Sequence, residues 1–310
     1  MKNNRNIYRM MLVASMTLVL GFSSCSKNDD NDNMVQPKSI VDIASADPNF
    51  STLVAALTKA DLVSALQGAG PFTVFAPTNA AFTSLFADLG VTGLDDLSSE
   101  SLKPILLYHV LGVKVLSSGL TDGYVNTLSS GPDQTKISLE VNKQNVKLNG
   151  SASITTADIP ASNGVIHIID KVLLPPTVVG LAIDNPAFSI LVEAVVKADL
   201  AGTLSGTGPF TVFAPTNAAF EALFTDLGVS GIADLTKEQL IPILLYHVVS
   251  GNVQSGQLTT GDVSTLNGNL SVNVGSSVTL NGTTHVVIAN VQGTNGVVHA
   301  IDKVLLPPSK

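Results

Sequence analysis

The chain has 310 residues, 45% of them hydrophobic and 5% aromatic, with 16 basic against 24 acidic residues. Lys2, Arg5 and Arg9 supply three of the basic residues, so the rest of the chain carries 13 against 24, a net charge of −11. Both arginines lie in that N-terminal stretch and no basic stripe follows, which excludes binding built on phosphate neutralisation, and so a nucleic-acid partner.

The basic residues lead into a mostly apolar run, Met10 to Phe22. A bilayer span needs about 18 or more apolar residues, so residues 1–24 read as a cleavable export signal. Cys25 is the only cysteine and has no disulfide partner within the chain. Preceded by Ser23-Ser24, it resembles the lipobox of bacterial lipoproteins, with Phe22 where that signal usually has Leu. That resemblance implies a lipidated Cys25 and an outer-membrane lipoprotein of the bacterial cell envelope, exposed at the surface. Residues 25–37 are then the lipidated cysteine and a disordered polar linker, since Ser26 to Asn33 contains no hydrophobe.

Beyond the linker the chain repeats itself. Phe72-Thr-Val-Phe-Ala-Pro-Thr-Asn-Ala-Ala-Phe82 returns unchanged as Phe210 to Phe220, an offset of 138 residues. Solenoid periods are about 20–50 residues, whereas domains run to about 100–150, so the unit is a domain: residues 38–176 and residues 177–310. Each opens on an N-cap, Ser39 or Thr177, followed by a short apolar helix that Pro48 or Pro186 breaks. Phe50, Leu53, Val54 and Leu57, and their counterparts from Phe188, then fall on one helical face. Gly70-Pro71 and Gly208-Pro209 end the helical part, and the Phe-Thr-Val-Phe stretch reads as a strand. Thr78 and Thr216 cap another helix, as do Ser98 and Thr236, the last with Gln239 in a capping box. Pro104 and Pro242 predict a kink or a break in this last helix.

The final third of each repeat is β-prone. Asn149-Gly150, Asn281-Gly282 and, in the second repeat alone, Asn267-Gly268 predict tight hairpins. The first repeat has a longer segment, residues 129–136, in place of that last turn. Both repeats close on Asn-Gly-Val-x-His-x-Ile-Asp-Lys-Val-Leu-Leu-Pro-Pro, ending at Pro176 and Pro308, with no linker between them. Helices first and strands later predict an α+β fold.

Three motifs in fixed order, the Phe-Thr-Val-Phe-Ala-Pro-Thr-Asn signature, a Tyr-His after an apolar helix, and the closing Asn-Gly-Val signature, resemble those of the fasciclin (FAS1) domain, twice over. The resemblance implies two tandem wedge-shaped β-sandwiches, each of about seven strands with helices packed on one edge. It implies a non-catalytic adhesion or binding protein, without a cofactor, whose partners are extracellular matrix, host or neighbouring-cell surface proteins or glycans. A role as an accessory subunit of a glycan-handling envelope complex is the alternative. Asn79 and Asn217 stand where many members have Asp.

The candidate residues carry two readings. The resemblance makes Tyr108-His109 and Tyr246-His247 contact residues, because this region is linked to integrin engagement in some animal relatives. Helical spacing instead sets His109 on the stripe of Leu102, Ile105 and Leu106, facing a core, with Asn79 as its expected hydrogen-bond partner and Asn217 as the counterpart for His247. His167 and His299 are expected to be structural, since along a strand His167 and Asp170 point to opposite faces. The histidines lack further His or Cys ligands at metal spacing, so no metal site is expected, and no nucleophile–base–orienter set suggests catalysis.

Overall fold

The structure is a computed structural model that describes residues 37–308. The export signal, Cys25 and the polar linker lie outside the described residues. Domain 1 runs α1 (Ile40–Ala46), α2 (Ser51–Lys59), α3 (Val63–Gln67), β1 (Phe72–Pro77), α4 (Asn79–Leu89), α5 (Ser99–Tyr108), β2 (Val110–Leu111), β3 (Gly123–Ser130), β4 (Lys136–Asn142), β5 (Lys147–Leu148), β6 (Ala152–Ala161) and β7 (Gly164–Ile169). Domain 2 repeats the series as α6 (Val178–Asp184), α7 (Ser189–Lys197), α8 (Ala201–Ser205), β8 (Phe210–Pro215), α9 (Asn217–Leu227), α10 (Lys237–Tyr246), β9 (Val248–Ser250), β10 (Gly261–Thr265), β11 (Gly268–Val274), β12 (Val278–Leu280), β13 (Thr284–Gly293) and β14 (Gly296–Ile301).

The caps read from the sequence are in place. Ser39, Thr78, Ser98, Thr177, Thr216 and Thr236 each accept a hydrogen bond from a backbone N–H in the first turn of the helix that follows. Gln239 completes the capping box of α10. The break allowed for at Pro104 and Pro242 does not occur: α5 and α10 each run as one helix across the proline. Proline removes one i→i−4 bond. In α5 the carbonyl so released belongs to Glu100, which is exposed and therefore open to water.

Each domain has seven strands linked into one hydrogen-bonded sheet, ordered β2-β1-β7-β6-β5-β4-β3 in domain 1. In domain 2 the same order closes into a barrel through the pair Thr265–Val249. The first and last signature strands are neighbours and parallel, Phe72 beside Gly164 through Pro77 beside Ile169. They approach so closely that a Cβ on Gly164 would lie 2.1 Å from the Phe72 carbonyl oxygen, which explains the Asn-Gly of the closing signature.

Strand alternation then builds two cores per domain. On one face Val74, Ala76 and Ile166 meet the helices through Ile40, Phe50, Leu57, Phe82 and Leu106. On the other, Phe75 and Ile169 are enclosed by the curled sheet with Leu139, Leu148 and Tyr108. Domain 2 has its own pair of cores. The turn expected at Asn267-Gly268 sits one residue earlier, because Thr265 pairs with Gly268 and leaves Leu266-Asn267 as the loop. No single helix among the described residues is long and apolar enough to cross a membrane.

Candidate functional site

Tyr108 and His109 close α5. The phenol is fully buried; its hydroxyl donates to the Ser138 carbonyl at 2.8 Å and accepts from Asn149 Nδ2 at 2.9 Å. Asn149 Oδ1 in turn accepts the Glu140 N–H at 3.0 Å. Burial pushes the phenol above its ordinary value. Tyr246 repeats the arrangement with the Asn269 carbonyl at 2.9 Å and Asn281 Nδ2 at 3.1 Å. The tyrosine thus fastens the helix end to the Asn-Gly hairpin.

The histidine fastens the same end to the closing segment. His109 Nε2 accepts the Leu173 N–H at 2.9 Å, so the ring proton sits on Nδ1, which donates to the Ile105 carbonyl at 2.7 Å. The backbone N–H of His109 goes to Leu106 instead, so the imidazole caps a carbonyl that the helix leaves open. His247 does the same with Ile243 at 2.8 Å and Leu305 at 2.9 Å. Burial lowers both imidazoles to about 4, and the backbone bond only partly opposes it.

Asn79 is not the partner of His109. Its Oδ1 accepts the Thr52 N–H at 2.9 Å and its Nδ2 donates to the Pro48 carbonyl at 2.9 Å and Ser51 Oγ at 3.0 Å, joining the starts of α4 and α2. A carboxylate could not make the Pro48 bond. Asn217 makes the matching contacts with Ile190, Pro186 and Ser189. His167 stacks on Phe75, donates from Nε2 to the Val115 carbonyl at 2.9 Å and accepts the Asp158 N–H at 3.2 Å. His299 repeats this on Phe213 with Val253 and Asn290. Asp170 points away from His167, to the Ser153 N–H. The four paired histidines therefore use both ring nitrogens on backbone groups. Among the described residues no cluster of three or more His, Cys, Asp or Glu could hold a metal ion.

The structure brings together a second set of residues, at the seam between the domains. The segment 129–136 reaches domain 2, where Asn252 Nδ2 lies 3.4 Å from the Pro132 carbonyl and Thr135 Oγ1. The Gln292 N–H donates to Ser138 Oγ at 3.0 Å, and Asn185 Nδ2 donates to the Tyr124 hydroxyl at 2.8 Å. Tyr124 packs against the helical core of domain 2. The domain junction is pinned by the Thr294 N–H on the Pro176 carbonyl at 2.8 Å. Two clefts flank the seam. One, about 380 Å³, lies among α4, the Asn149 hairpin, the closing segment of domain 1 and Asp184. The other, about 490 Å³, is lined by Tyr124, Asn126 and Ser138 from one domain and Ile288, Asn290 and Val291 from the other. Apart from segment 129–136, sequence reasoning missed these residues, although a signal existed: several stand where the two repeats differ, Asp184 and Asn185 against Ala46 and Asp47.

The fasciclin domain family model matches residues 48–175 and again residues 186–307. The chain belongs to the fasciclin domain family. Among curated relatives, it is 44% identical to protein sll1483 of Synechocystis over 137 residues, 44% of this chain and 73% of that protein. It is 30% identical to human periostin over 230 residues, 73% of this chain but only 26% of periostin. Among solved structures it matches a FAS1 domain pair from the insect cell adhesion molecule fasciclin I, at 19% identity and a TM-score of 0.46, covering 86% of this chain and 96% of that one. In this fasciclin pair the signature motifs lie in the cores, and the seam with its two clefts draws on residues that differ between the two repeats.

Proposed function

We propose that the chain is a non-catalytic binding protein of the bacterial cell surface, held to the outer membrane by lipid on Cys25. It presents its tandem fasciclin domains as one docked unit to a matrix, host or neighbouring-cell protein or glycan. The observation that carries the non-catalytic reading is the use of the paired histidines: each ring nitrogen is bonded to backbone, which leaves none poised as an acid or base. Family membership, given by the two matches of the fasciclin domain model, supports a binding role. The basic, then apolar, then Ser-Ser-Cys order of the N-terminus supports the anchor. Fold alone does not name the ligand.

The test is binding of the full chain to matrix-protein and glycan arrays, together with mass spectrometry of the mature N-terminus. Saturable retention on one array class and a diacylated Cys25 are the expected results. An unmodified Cys25 in protein recovered from the cytosol overturns the anchored reading. Capture of a stoichiometric membrane partner, with no array binding, would favour the accessory-subunit alternative.

A further inference from the structure

The Glu140 side chain stands at the seam, only 9% exposed, and its Oε2 has no hydrogen-bond partner. It lies opposite Tyr124 in the β3–β4 register. The Gly150 N–H favours its ionised form, while Asp184, across the seam at the end of α6, disfavours it. The two domains touch here backbone to backbone: a Cβ on Gly150 would lie 2.5 Å from the Asp184 carbonyl oxygen. No salt bridge among the described residues supplies either carboxylate with a cation. Lys171, which lines the adjoining cleft with Asp88 and Asp170, is exposed. The remaining titratable groups that face the pair are the phenols of Tyr124 and Tyr108.

All four residues of this cluster lie where the repeats diverge. Tyr124 and Glu140 correspond in strand register to Asp262 and Ser271 in domain 2, and Asp184 and Asn185 to Ala46 and Asp47 in domain 1. Asn185 donates to the Tyr124 hydroxyl, whereas an Asp there could only accept from it and would bring a further carboxylate beside Asp184. The cluster belongs to the contact between the domains and not to the fold of either.

We propose that Glu140 and Asp184 form a proton-operated latch: with Glu140 protonated the seam stays closed, and with both carboxylates ionised their repulsion loosens it and widens the flanking clefts. The direction follows from the raised affinity of the closed state for protons. Burial and then the charge of Asp184 lift Glu140 from 4.5 to about 7, and burial lifts Asp184 from 3.8 to about 6. A carboxyl raised in the closed state favours closure fully below its ordinary value, and that contribution is lost as pH rises through the raised value. Closure therefore weakens between about pH 4 and about pH 7. Asn185–Tyr124, Gln292–Ser138 and the contacts of Asn252 with the Pro132 carbonyl and Thr135 Oγ1 do not titrate in this range and keep the domains tethered while the latch opens.

The latch stands apart from the identity of any partner, because its readout is a distance within the chain. Spin labels at Lys103→Cys in α5 and Asp226→Cys in α9, both exposed, in a full chain carrying Cys25→Ser, report the domain separation. The expected result is a longer and broader distance distribution at about pH 8 than at about pH 5. Glu140→Gln with Asp184→Asn, which removes the charges and keeps the shapes, should hold the short distance at both pH values. If that pair does not fold, Asp184→Ala, which copies Ala46, should remove most of the shift. Equal distances in the parent at both pH values, or an undiminished shift in a folded variant, overturn the proposal. So does closure of the parent at about pH 8 by calcium ions, reversed by a chelator, which would make the pair a cation site.

Discussion

Replacing His109 with Ala tests whether the Tyr-His motif holds the domain together. The change leaves the Leu173 N–H and the Ile105 carbonyl, both bonded to the ring at 2.9 and 2.7 Å, without partners in a site where the histidine is 2% exposed. A buried backbone group left unpaired costs about 1–3 kcal/mol, so the two together cost about 2–6 kcal/mol. The vacated ring volume adds a cavity term of the same sign. Against a total stability of about 5–15 kcal/mol for a domain, that brings domain 1 close to unfolding. The assay is urea denaturation followed by far-UV circular dichroism, with hydrogen-exchange mass spectrometry to assign the early transition to residues 38–176. His247→Ala is the internal control, since its bonds of 2.8 and 2.9 Å predict the same loss in domain 2. A loss below about 1 kcal/mol in both variants, less than one unsatisfied buried group should cost, would refute the reasoning and return the motif to a surface role.

Val195→Leu should stabilise domain 2. The helical core there holds an apolar cavity of about 70 Å³ against about 20 Å³ in domain 1, where Leu57 occupies the equivalent position. At about 24 cal/mol per Å³, filling the difference gains about 1 kcal/mol, read as a higher urea midpoint for that domain. Gly150→Ala should loosen the seam without unfolding domain 1's core, because the new Cβ meets the Asp184 carbonyl oxygen at a residue with φ of +61°; spin-label distances should lengthen even at low pH. Acid should destabilise both domains through His109 and His247. Their lowered values mean that the contribution is full above about pH 6.5 and is lost as pH falls toward about 4, up to about 3 kcal/mol for each histidine. Glu140 and Asp184 act in the opposite sense, so urea titrations in a Glu140→Gln, Asp184→Asn background isolate the histidine term.

The motifs named in the sequence were found, but their roles came from partners far away in the chain. The stripe through Leu102 and Leu106 placed His109 toward the core, yet Asn79 was the wrong partner. The true one is Leu173, 64 residues on, where the closing segment returns past the helix end. Segment 129–136 was legible as a difference between the repeats, and its docking onto Asn252 was not. The proline in α5 was read by a local rule that assumes a costly open carbonyl, and solvent exposure of Glu100 removed that cost.

The sequence by itself determined what is local or repeated: the domain duplication, the threonine and serine caps, the amphipathic helices and the turns at Asn149-Gly150 and Asn281-Gly282. Those signals act within a few residues, through backbone hydrogen bonds and side-chain periodicity, so they survive without knowledge of the whole. Only the tertiary structure decided that the histidines close helix ends, that one curled sheet encloses a second core, and that Glu140 meets Asp184. Burial and charge pairing depend on which distant segments arrive at the same place, and that is set by the packing of the complete chain.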